Sequence, residues 1–230
     1  MKILKYGILI ALMSVNWILT GCATAYSYNS IEIKIIDEET KQPLEDVIVV
    51  AHWTLDRGTL GGNVEVGTLQ VMEAVSDKNG RVHFSEWGPK TIYRGRLDGR
   101  GAQLIFFKPD YEIKGGGNKD PLWQSDNPKT SQWDGTVVEM KKFQGNLLDY
   151  AEFIRSLDNE LNFARKGKNC EWKSIPKMLV AIHKMSIYFD SKNIRLKGWM
   201  AGRKIRKVTD VGRQDKCGSA EDYFKAFLNE

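Results

Sequence analysis

Residues 31–35 read Ile31-Glu32-Ile33-Lys34-Ile35, and this strict alternation of apolar and charged side chains decides the fold. Successive side chains of a β-strand point to opposite faces, so the pattern predicts a strand with one buried face and one solvated face. The next apolar run, Val47-Ile48-Val49-Val50-Ala51, is typical of a central strand that is buried on both faces. The first half of the chain is therefore expected to be rich in β-strands.

More strands and turns follow at regular spacing. Strands are expected at 69–75, 82–84, 104–107 and 137–140, and Asn79-Gly80 supplies the positive φ angles of a tight hairpin. Short strands separated by turn signals are typical of an antiparallel β-sandwich. The glycine-rich segment 57–67 lacks the Gly-Lys-Ser/Thr ending of a phosphate-binding loop, so we expect a long flexible connection there.

Three motifs lie in this β-rich part. The first combines Ile35-Ile36-Asp37 and Thr40 with Pro43-Leu44 and Val47-x-Val49, the second is Asp77-x-x-Gly80-x-Val82-x-Phe84, and the third is Phe107-Lys108-Pro109-Asp110-Tyr111. Together they resemble the carboxypeptidase regulatory-like family over residues 31 to about 113. The resemblance implies a transthyretin-like, or prealbumin-like, β-sandwich that acts as a binding or accessory module without catalytic residues.

Three turn positions depart from the family pattern. Lys41 or Gln42, Asp46 and Asp110 stand where glycine is common in that family. Each of these residues can occupy a turn, so the implied fold is unchanged. These departures affect the geometry expected for the first hairpin, between the strands at 31–35 and 47–51.

The N-terminus carries the features of an export signal in their usual order. Lys2 and Lys5 are positively charged, and the mostly apolar run 7–19 is shorter than a membrane-spanning helix. The order Leu19-Thr20-Gly21-Cys22 resembles the lipobox of bacterial lipoproteins, which implies cleavage after residue 21 and acylation of Cys22. An ordinary secreted protein or an uncleaved anchor is the alternative.

The lipobox resemblance implies a location in the cell envelope. Residues 1–21 would be the signal peptide and 22–30 a polar tether, so the lipid anchor would make the membrane a partner. Ala23, where an aspartate would favour the inner membrane, favours the outer membrane and a protein that faces the periplasm. The net charge of +5 falls to about +3 when residues 1–21, with Lys2 and Lys5, are removed. This modest positive charge can attract anionic lipids or glycans, and the alternative is that the basic residues form a solvated helical face. A nucleic-acid partner is not expected outside the cytoplasm.

Two cysteines remain once Cys22 is acylated. Cys170 and Cys217 are expected to form a disulfide in an oxidising compartment. Two free buried thiols or a metal pair are the alternatives, and the sequence offers no Cys-x-x-Cys or nearby histidine for a metal.

The second half of the chain is expected to be helical, so the predicted fold class is α+β. A β-sandwich with long loops would span 31–143, and a helical region tied by the disulfide would span 144–230. Helix starts are indicated by Asn146, Pro176 and Ser219, and the first helix is expected to run through about residue 165.

Two loop tryptophans, Trp123 and Trp133, are candidate ligand-binding residues. Exposed tryptophans can stack on sugar rings, which favours a carbohydrate or peptidoglycan partner. Packing of both indoles over a sheet face is the alternative, because a tryptophan buries a large apolar area.

Two common catalytic motifs are missing from the sequence. It contains no Gly-x-Ser-x-Gly and no His-Glu-x-x-His. His52 and His83 lie on strands that could be neighbours, but two ligands without a third give weak support for a metal. We expect no catalytic residues, no cofactor and no metal.

The leading hypothesis is therefore a lipid-anchored, non-enzymatic envelope protein that binds or supports a partner, either an envelope protein or a glycan. A carbohydrate- or peptidoglycan-binding module is the second hypothesis. A hydrolase with an unrecognised site is the third, and a polar pocket that holds histidine and acids together would favour it.

Overall fold

The computed structural model describes residues 23–117, 129–196, 204–212 and 215–228. Within these ranges the strands precede residue 141 and the helices follow residue 146, so the fold is α+β, as expected. The strands are β1 (Thr24–Tyr28), β2 (Ile31–Asp37), β3 (Ile48–Thr59), β4 (Gly62–Val75), β5 (Arg81–Phe84), β6 (Trp87–Ile92), β7 (Arg96–Leu97), β8 (Gln103–Phe107), β9 (Lys114–Gly116) and β10 (Thr136–Met140). The helices are α1 (Leu147–Glu160), α2 (Asn162–Arg165), α3 (Pro176–Ser191) and α4 (Ala220–Leu228).

The strands form two main sheets and one small sheet. The first sheet has the order β10-β2-β5, in which β2 pairs antiparallel with β5 and parallel with β10. The second has the order β4-β3-β8-β9, entirely antiparallel, and β7 also pairs with β3. Strands β1 and β6 form a separate antiparallel pair.

The alternation of apolar and charged residues at 31–35 determines which face of β2 is buried. Ile31, Ile33 and Ile35 are almost completely buried, whereas Glu32 and Lys34 are exposed. Apolar side chains of both main sheets meet these isoleucines in one core. That core includes Val49, Ala51 and Trp53 of β3, Val82 and Phe84 of β5, Leu104 and Phe106 of β8, and Val138 and Met140 of β10. The two main sheets therefore face each other across a shared apolar layer.

A second core lies on the opposite face of the second sheet. Val50, Val71, Ile105 and Phe107 of that face pack with the helices. The helical members include Ile154, Leu157, Leu161, Trp172, Met178, Leu179, Ile182 and Phe224. The helices therefore form a layer on the sheet and share a core with it. No helix in the described ranges has the length and apolarity needed to cross a bilayer.

Two predicted helix caps are confirmed. The Asn146 side chain accepts hydrogen bonds from the backbone N–H groups of Leu148 and Asp149, at 2.9 and 3.0 Å. Ser219 Oγ accepts one from Asp222 N at 3.2 Å. The helix that was expected to continue to about residue 165 ends at Glu160, and the short helix α2 follows Leu161.

The expectation of a flexible loop at 57–67 is wrong. Strands β3 and β4 stay paired as far as Thr59 and Gly62, so the glycine-rich segment is the distal half of a long hairpin. Register shifts after Trp53 and after Leu55 accommodate its irregularity. Ladder hydrogen bonds with a fixed neighbour outweigh the weak strand propensity of glycine.

The expected polar tether at 22–30 also differs from the structure. Residues Thr24–Tyr28 form β1, which pairs with β6, and Tyr26 and Tyr28 are both buried. The Tyr28 ring contacts Trp53 at 5.1 Å and stacks on Trp87 at 6.0 Å between ring centroids. The aromatic area that these tyrosines bury explains why the segment is an ordered strand.

Three turn residues adopt the left-handed conformation that favours glycine. Lys41, Asp46 and Asp110 have φ angles of 58°, 59° and 67°. Positive φ is uncommon for residues other than glycine, although aspartate tolerates it better than most.

Candidate functional site

A cleft of about 620 Å³ opens where α1 and α2 cover the outer face of the second sheet. This volume lies in the range of small-molecule sites, roughly 300–1,000 Å³. The described residues that line the cleft are His52, Glu65, Gln103, Leu104, Ile105, Gly115, Gly116, Glu160, Asn162 and Phe163.

The residue order along strand β3 explains why the second sheet is polar at the end that borders the cleft. Val50 belongs to the core under the helices, whereas His52, Thr54 and Asp56 follow it at intervals of two residues. Asp56 pairs in register with Glu65 of β4. The outer surface of the hairpin thus changes from apolar under the helices to polar where the helical cover ends.

His52 is the central polar side chain of the cleft. It is only 7% exposed, and its ring stacks on Phe163 with centroids 4.1 Å apart and planes 5° from parallel. Its Nδ1 has no hydrogen-bond partner. Burial, reinforced by the charge of Arg100, lowers the pKa of His52 to about 4. The imidazole is therefore neutral at pH 7, so one ring nitrogen can accept a hydrogen bond.

Two carboxylates stand at the rim of the cleft. Glu65 and Glu160 are exposed and make no hydrogen bond or ion pair within the described ranges. Partial burial raises the pKa of both groups, and the nearby charge of Asp56 raises that of Glu65 further. Asp56 is itself 7% exposed, and burial followed by repulsion from Asp98 raises its pKa. The carboxylates of Asp56 and Glu65 therefore repel each other at the rim of the cleft.

Arg100 does not remove this repulsion, because it is bound to Asp98. Arg100 binds Asp98 through Nε–Oδ2 and Nη2–Oδ2 contacts of 2.8 and 2.6 Å, and Thr54 Oγ1 donates to the same carboxylate at 3.3 Å. Burial alone would raise the pKa of Asp98, but the hydrogen bonds from Arg100 lower it below the ordinary value. Arg100 is thus already paired, and Glu65 and Asp56 keep their repulsion.

The described lining suits an organic cation better than a metal ion. It contains two carboxylates and neither lysine nor arginine, and Ile105 and Phe163 supply apolar surface. Among the residues that the structure describes, no group of three or more His, Cys, Asp or Glu side chains is arranged to hold a metal. An ammonium group carries three donors and no acceptor, which matches carboxylates and a neutral imidazole.

The predicted disulfide is confirmed. Cys170 and Cys217 are bonded, with Cα atoms 5.6 Å apart, and they connect the segment between α2 and α3 to the segment before α4. The predicted lipidation residue, Cys22, and one candidate tryptophan, Trp123, lie outside the described residues.

Trp133 and the histidine pair lie elsewhere in the fold. Trp133 is half-buried, its ring lies 5.4 Å from that of Phe106, and it borders a separate pocket of about 210 Å³. Its indole Nε1 has no partner. His52 and His83 lie in different main sheets, so the hypothesis that they occupy neighbouring strands is wrong.

Comparisons with known proteins do not identify a family. No protein-family model matches the chain, and no curated protein matches it either. One of the solved structures that match is a crystal structure of a 9R-lipoxygenase from Cyanothece PCC8801, with 14% identity and a TM-score of 0.27. The match covers 73% of this chain and only 25% of the lipoxygenase chain, so the chain spans about a quarter of that protein's length.

Proposed function

We propose that this chain is a lipid-anchored envelope protein that binds a small organic cation in the cleft and does not catalyse a reaction. The observation that carries the binding role is the cleft of about 620 Å³, whose described lining holds the exposed carboxylates of Glu65 and Glu160 and neither lysine nor arginine. Small-molecule sites are typically concave, partly apolar and provided with a few polar groups.

The proposed β-sandwich is of the transthyretin-like, carboxypeptidase regulatory-like type. It is supported by the three motifs and by the positive φ angles at Lys41, Asp46 and Asp110, because glycine in the family permits the same conformation. The anchor is supported by the lipobox alone.

Fatty-acid labelling tests the anchor. Cells that express the full chain are grown with a radioactive fatty acid, and the protein is then isolated from outer and inner membrane fractions. We expect label in the wild type and none in Cys22→Ala, whereas Cys170→Ala, the cysteine control, keeps its label. An unlabelled wild type, or label that survives in Cys22→Ala, would refute the anchor.

Calorimetry tests the ligand class. The full chain, purified in detergent, is titrated with 1,5-diaminopentane, with 1,5-pentanediol as a neutral probe and with pentanedioate as an anionic probe. We expect heat of binding only for the diamine, because the rim carboxylates attract ammonium groups and the apolar wall takes the methylenes.

Variants of the rim carboxylates identify the site. Glu65→Gln and Glu160→Gln should each weaken diamine binding about threefold, as expected for partly exposed ion pairs. Glu38→Gln, an exposed acid on β2's turn, is the control and should change nothing. Binding of the diol or of pentanedioate would refute the cationic class but keep a binding role, and no binding of any probe would refute both.

Glycan binding through Trp133 is a second candidate. It is favoured by the position of Trp133 in the lining of a pocket that Lys114 and Val137 also line. Quenching of tryptophan fluorescence by cell-wall fragments, lost in Trp133→Phe, would support it. Unchanged fluorescence would exclude it.

Hydrolysis is a third candidate, because the cleft does bring His52 together with Glu65 and Glu160. Incubation with cell-wall fragments, followed by mass spectrometry, tests it. New products that disappear in His52→Gln would replace the binding proposal with an enzymatic one.

A further inference from the structure

An exposed apolar surface surrounds the distal half of the β3–β4 hairpin. This hairpin-tip surface consists of Leu60, Val64, Val66 and Tyr93. Leu60 is fully exposed at the turn, and Tyr93 is 78% exposed in the segment between β6 and β7. Large apolar side chains that are exposed singly are ordinary, but a group of them at one end of a fold marks an interaction surface.

The chain connections bring Tyr93 to the hairpin. Tyr93 follows the end of β6, and three residues later Arg96 pairs with Asp56 of β3. Between them, Gly95 packs so closely that a Cβ atom there would lie 3.1 Å from a Val66 methyl carbon. Tyr93 and the hairpin are therefore parts of one surface.

The proposed anchor leaves the fold at the same place. Thr24, the first residue of β1, pairs with Ile92, the residue before Tyr93. Cys22 precedes Thr24 by two residues, and an extended chain spans at most ~3.6 Å per residue. The Cα atom of Cys22 is consequently held within about 7 Å of that of Thr24. Acyl chains on Cys22 would bring a bilayer to this edge of the protein.

The exposed charges at this edge suit an anionic lipid surface. Arg57, Arg94 and Arg96 are exposed here, as is the carboxylate Glu65, whereas Asp56 is buried. Basic side chains near an anionic bilayer are attracted to its phosphates, and aromatic side chains favour the headgroup–acyl boundary.

We infer that the hairpin-tip surface lies against the bilayer that carries the acyl chains of Cys22. Leu60 and Tyr93 enter the boundary between headgroups and acyl chains, and the three arginines contact phosphates. This inference rests on the proposed acylation of Cys22. The hairpin-tip surface provides a second, reversible membrane contact beside the covalent anchor, and this contact fixes how the protein is oriented on the membrane.

Site-specific fluorescence tests the inference. In the lipidated full chain Cys22 is acylated and the other two cysteines are bonded, so an introduced cysteine is the single free thiol. Leu60→Cys and Tyr93→Cys are each labelled with an environment-sensitive dye and reconstituted into vesicles of phosphatidylethanolamine and phosphatidylglycerol. Val137→Cys, exposed on β10 in the other main sheet, is the matched control.

We expect blue-shifted emission at positions 60 and 93, and quenching by nitroxide-labelled lipids about twofold stronger than at position 137. Replacing phosphatidylglycerol with a zwitterionic lipid should reduce that quenching. Equal, water-like emission at all three positions on protein that floats with the vesicles would overturn the inference alone. Protein that does not float would overturn the anchor itself. A blue shift that depends on protein concentration and not on lipid would overturn the inference in favour of contact between two copies of this chain.

Discussion

Asp37 shows how one carboxylate can fix a turn. Its Oδ1 accepts hydrogen bonds from the N–H groups of Glu39 and Thr40, and its Oδ2 accepts one from the Tyr111 hydroxyl at 2.7 Å. Hydrogen bonds from Thr40 and Tyr111 lower the pKa of Asp37 to about 2. The carboxylate joins the first turn to the segment after β8, so the turn depends on one charge.

Asp37→Asn should destabilise the protein by about 1–3 kcal/mol at pH 7, the usual cost of losing charged hydrogen bonds. Because the folded pKa is below the ordinary value of 3.8, the stabilisation is complete above that pH and is lost as pH falls towards 2. Urea unfolding at pH 7 and at pH 2.5 measures the difference. Glu38→Gln is the control, and a wild-type advantage that persists unchanged at pH 2.5 would contradict this assignment.

A buried ion pair in the helical layer contrasts with an exposed one. Asp158 binds Arg165 and Arg206 through Nε–O contacts of 2.8 Å each, and Arg165 is fully buried. Removing Asp158 leaves a buried charge without its counter-ion, so Asp158→Ala should cost about 3–5 kcal/mol. Lys41→Ala breaks the exposed pair with Glu139 and should cost at most about 1 kcal/mol. Chemical denaturation of both variants measures these costs, and an equal loss of unfolding free energy in Asp158→Ala and Lys41→Ala would refute the distinction.

At the level of strands and helices, Glu73 of β4 joins the two layers. Helix α3 begins with Pro176, and its N-cap Ile175 offers no side-chain hydrogen bond. The Glu73 carboxylate instead accepts hydrogen bonds from the backbone N–H groups of Lys177 and Met178, at 3.0 and 2.7 Å. The strand therefore caps the helix.

Glu73 should make stability depend on pH in an unusual direction. Burial raises the pKa of Glu73 to about 7, against opposing hydrogen bonds from Met178 and Lys177. Between pH 4.5, the ordinary pKa of the group, and pH 7, Glu73 is protonated in the folded protein and ionised in the unfolded chain. The contribution of Glu73 to the free energy of unfolding therefore falls as pH rises. The stability of the wild type relative to Glu73→Gln should drop by roughly 1–3 kcal/mol from pH 5 to pH 8. Urea midpoints of both proteins measure it, and a relative stability that rises with pH would contradict the assignment.

The sequence predicts local elements well where one short pattern decides the outcome. The alternation at 31–35 and the Asn146 and Ser219 caps depend only on nearby residues and are confirmed. Gly80 has the expected positive φ of 71°, but Asn79 does not have a positive φ, and β4 and β5 lie in different sheets, so the predicted tight hairpin at Asn79-Gly80 is wrong. The prediction of a flexible loop at 57–67 fails because pairing in a hairpin, and not glycine content, determines the conformation of this segment.

The cleft could not be read from the sequence because distant segments build it. His52 and Glu160 meet only through the packing of α1 on the second sheet. One signal was available, since His52, Thr54 and Asp56 place polar groups on one face of a strand whose earlier residues are apolar. Their partners on α1 and α2 follow from tertiary packing, which periodicity does not specify.

Across the full fold, the disulfide is the covalent link within the helical layer. Cys170 and Cys217 are separated by 47 residues, and closing a loop of that length restricts the unfolded chain. Reduction should therefore lower the free energy of unfolding by about 4 kcal/mol on the chain-entropy estimate. Urea unfolding with and without reductant measures the loss. The double variant Cys170→Ser/Cys217→Ser should be insensitive to reductant, and an equal loss in that variant would refute the explanation.

The central claim is that the cleft beside His52 is a ligand site for an organic cation. Backbone NMR of the full chain in detergent, titrated with 1,5-diaminopentane, tests it most directly because it reports location as well as binding. The account predicts saturable shifts at His52, Gly115, Gly116 and Phe163, and none around Trp133. Shifts that cluster around Trp133, or no saturable shift at the cleft, would contradict it.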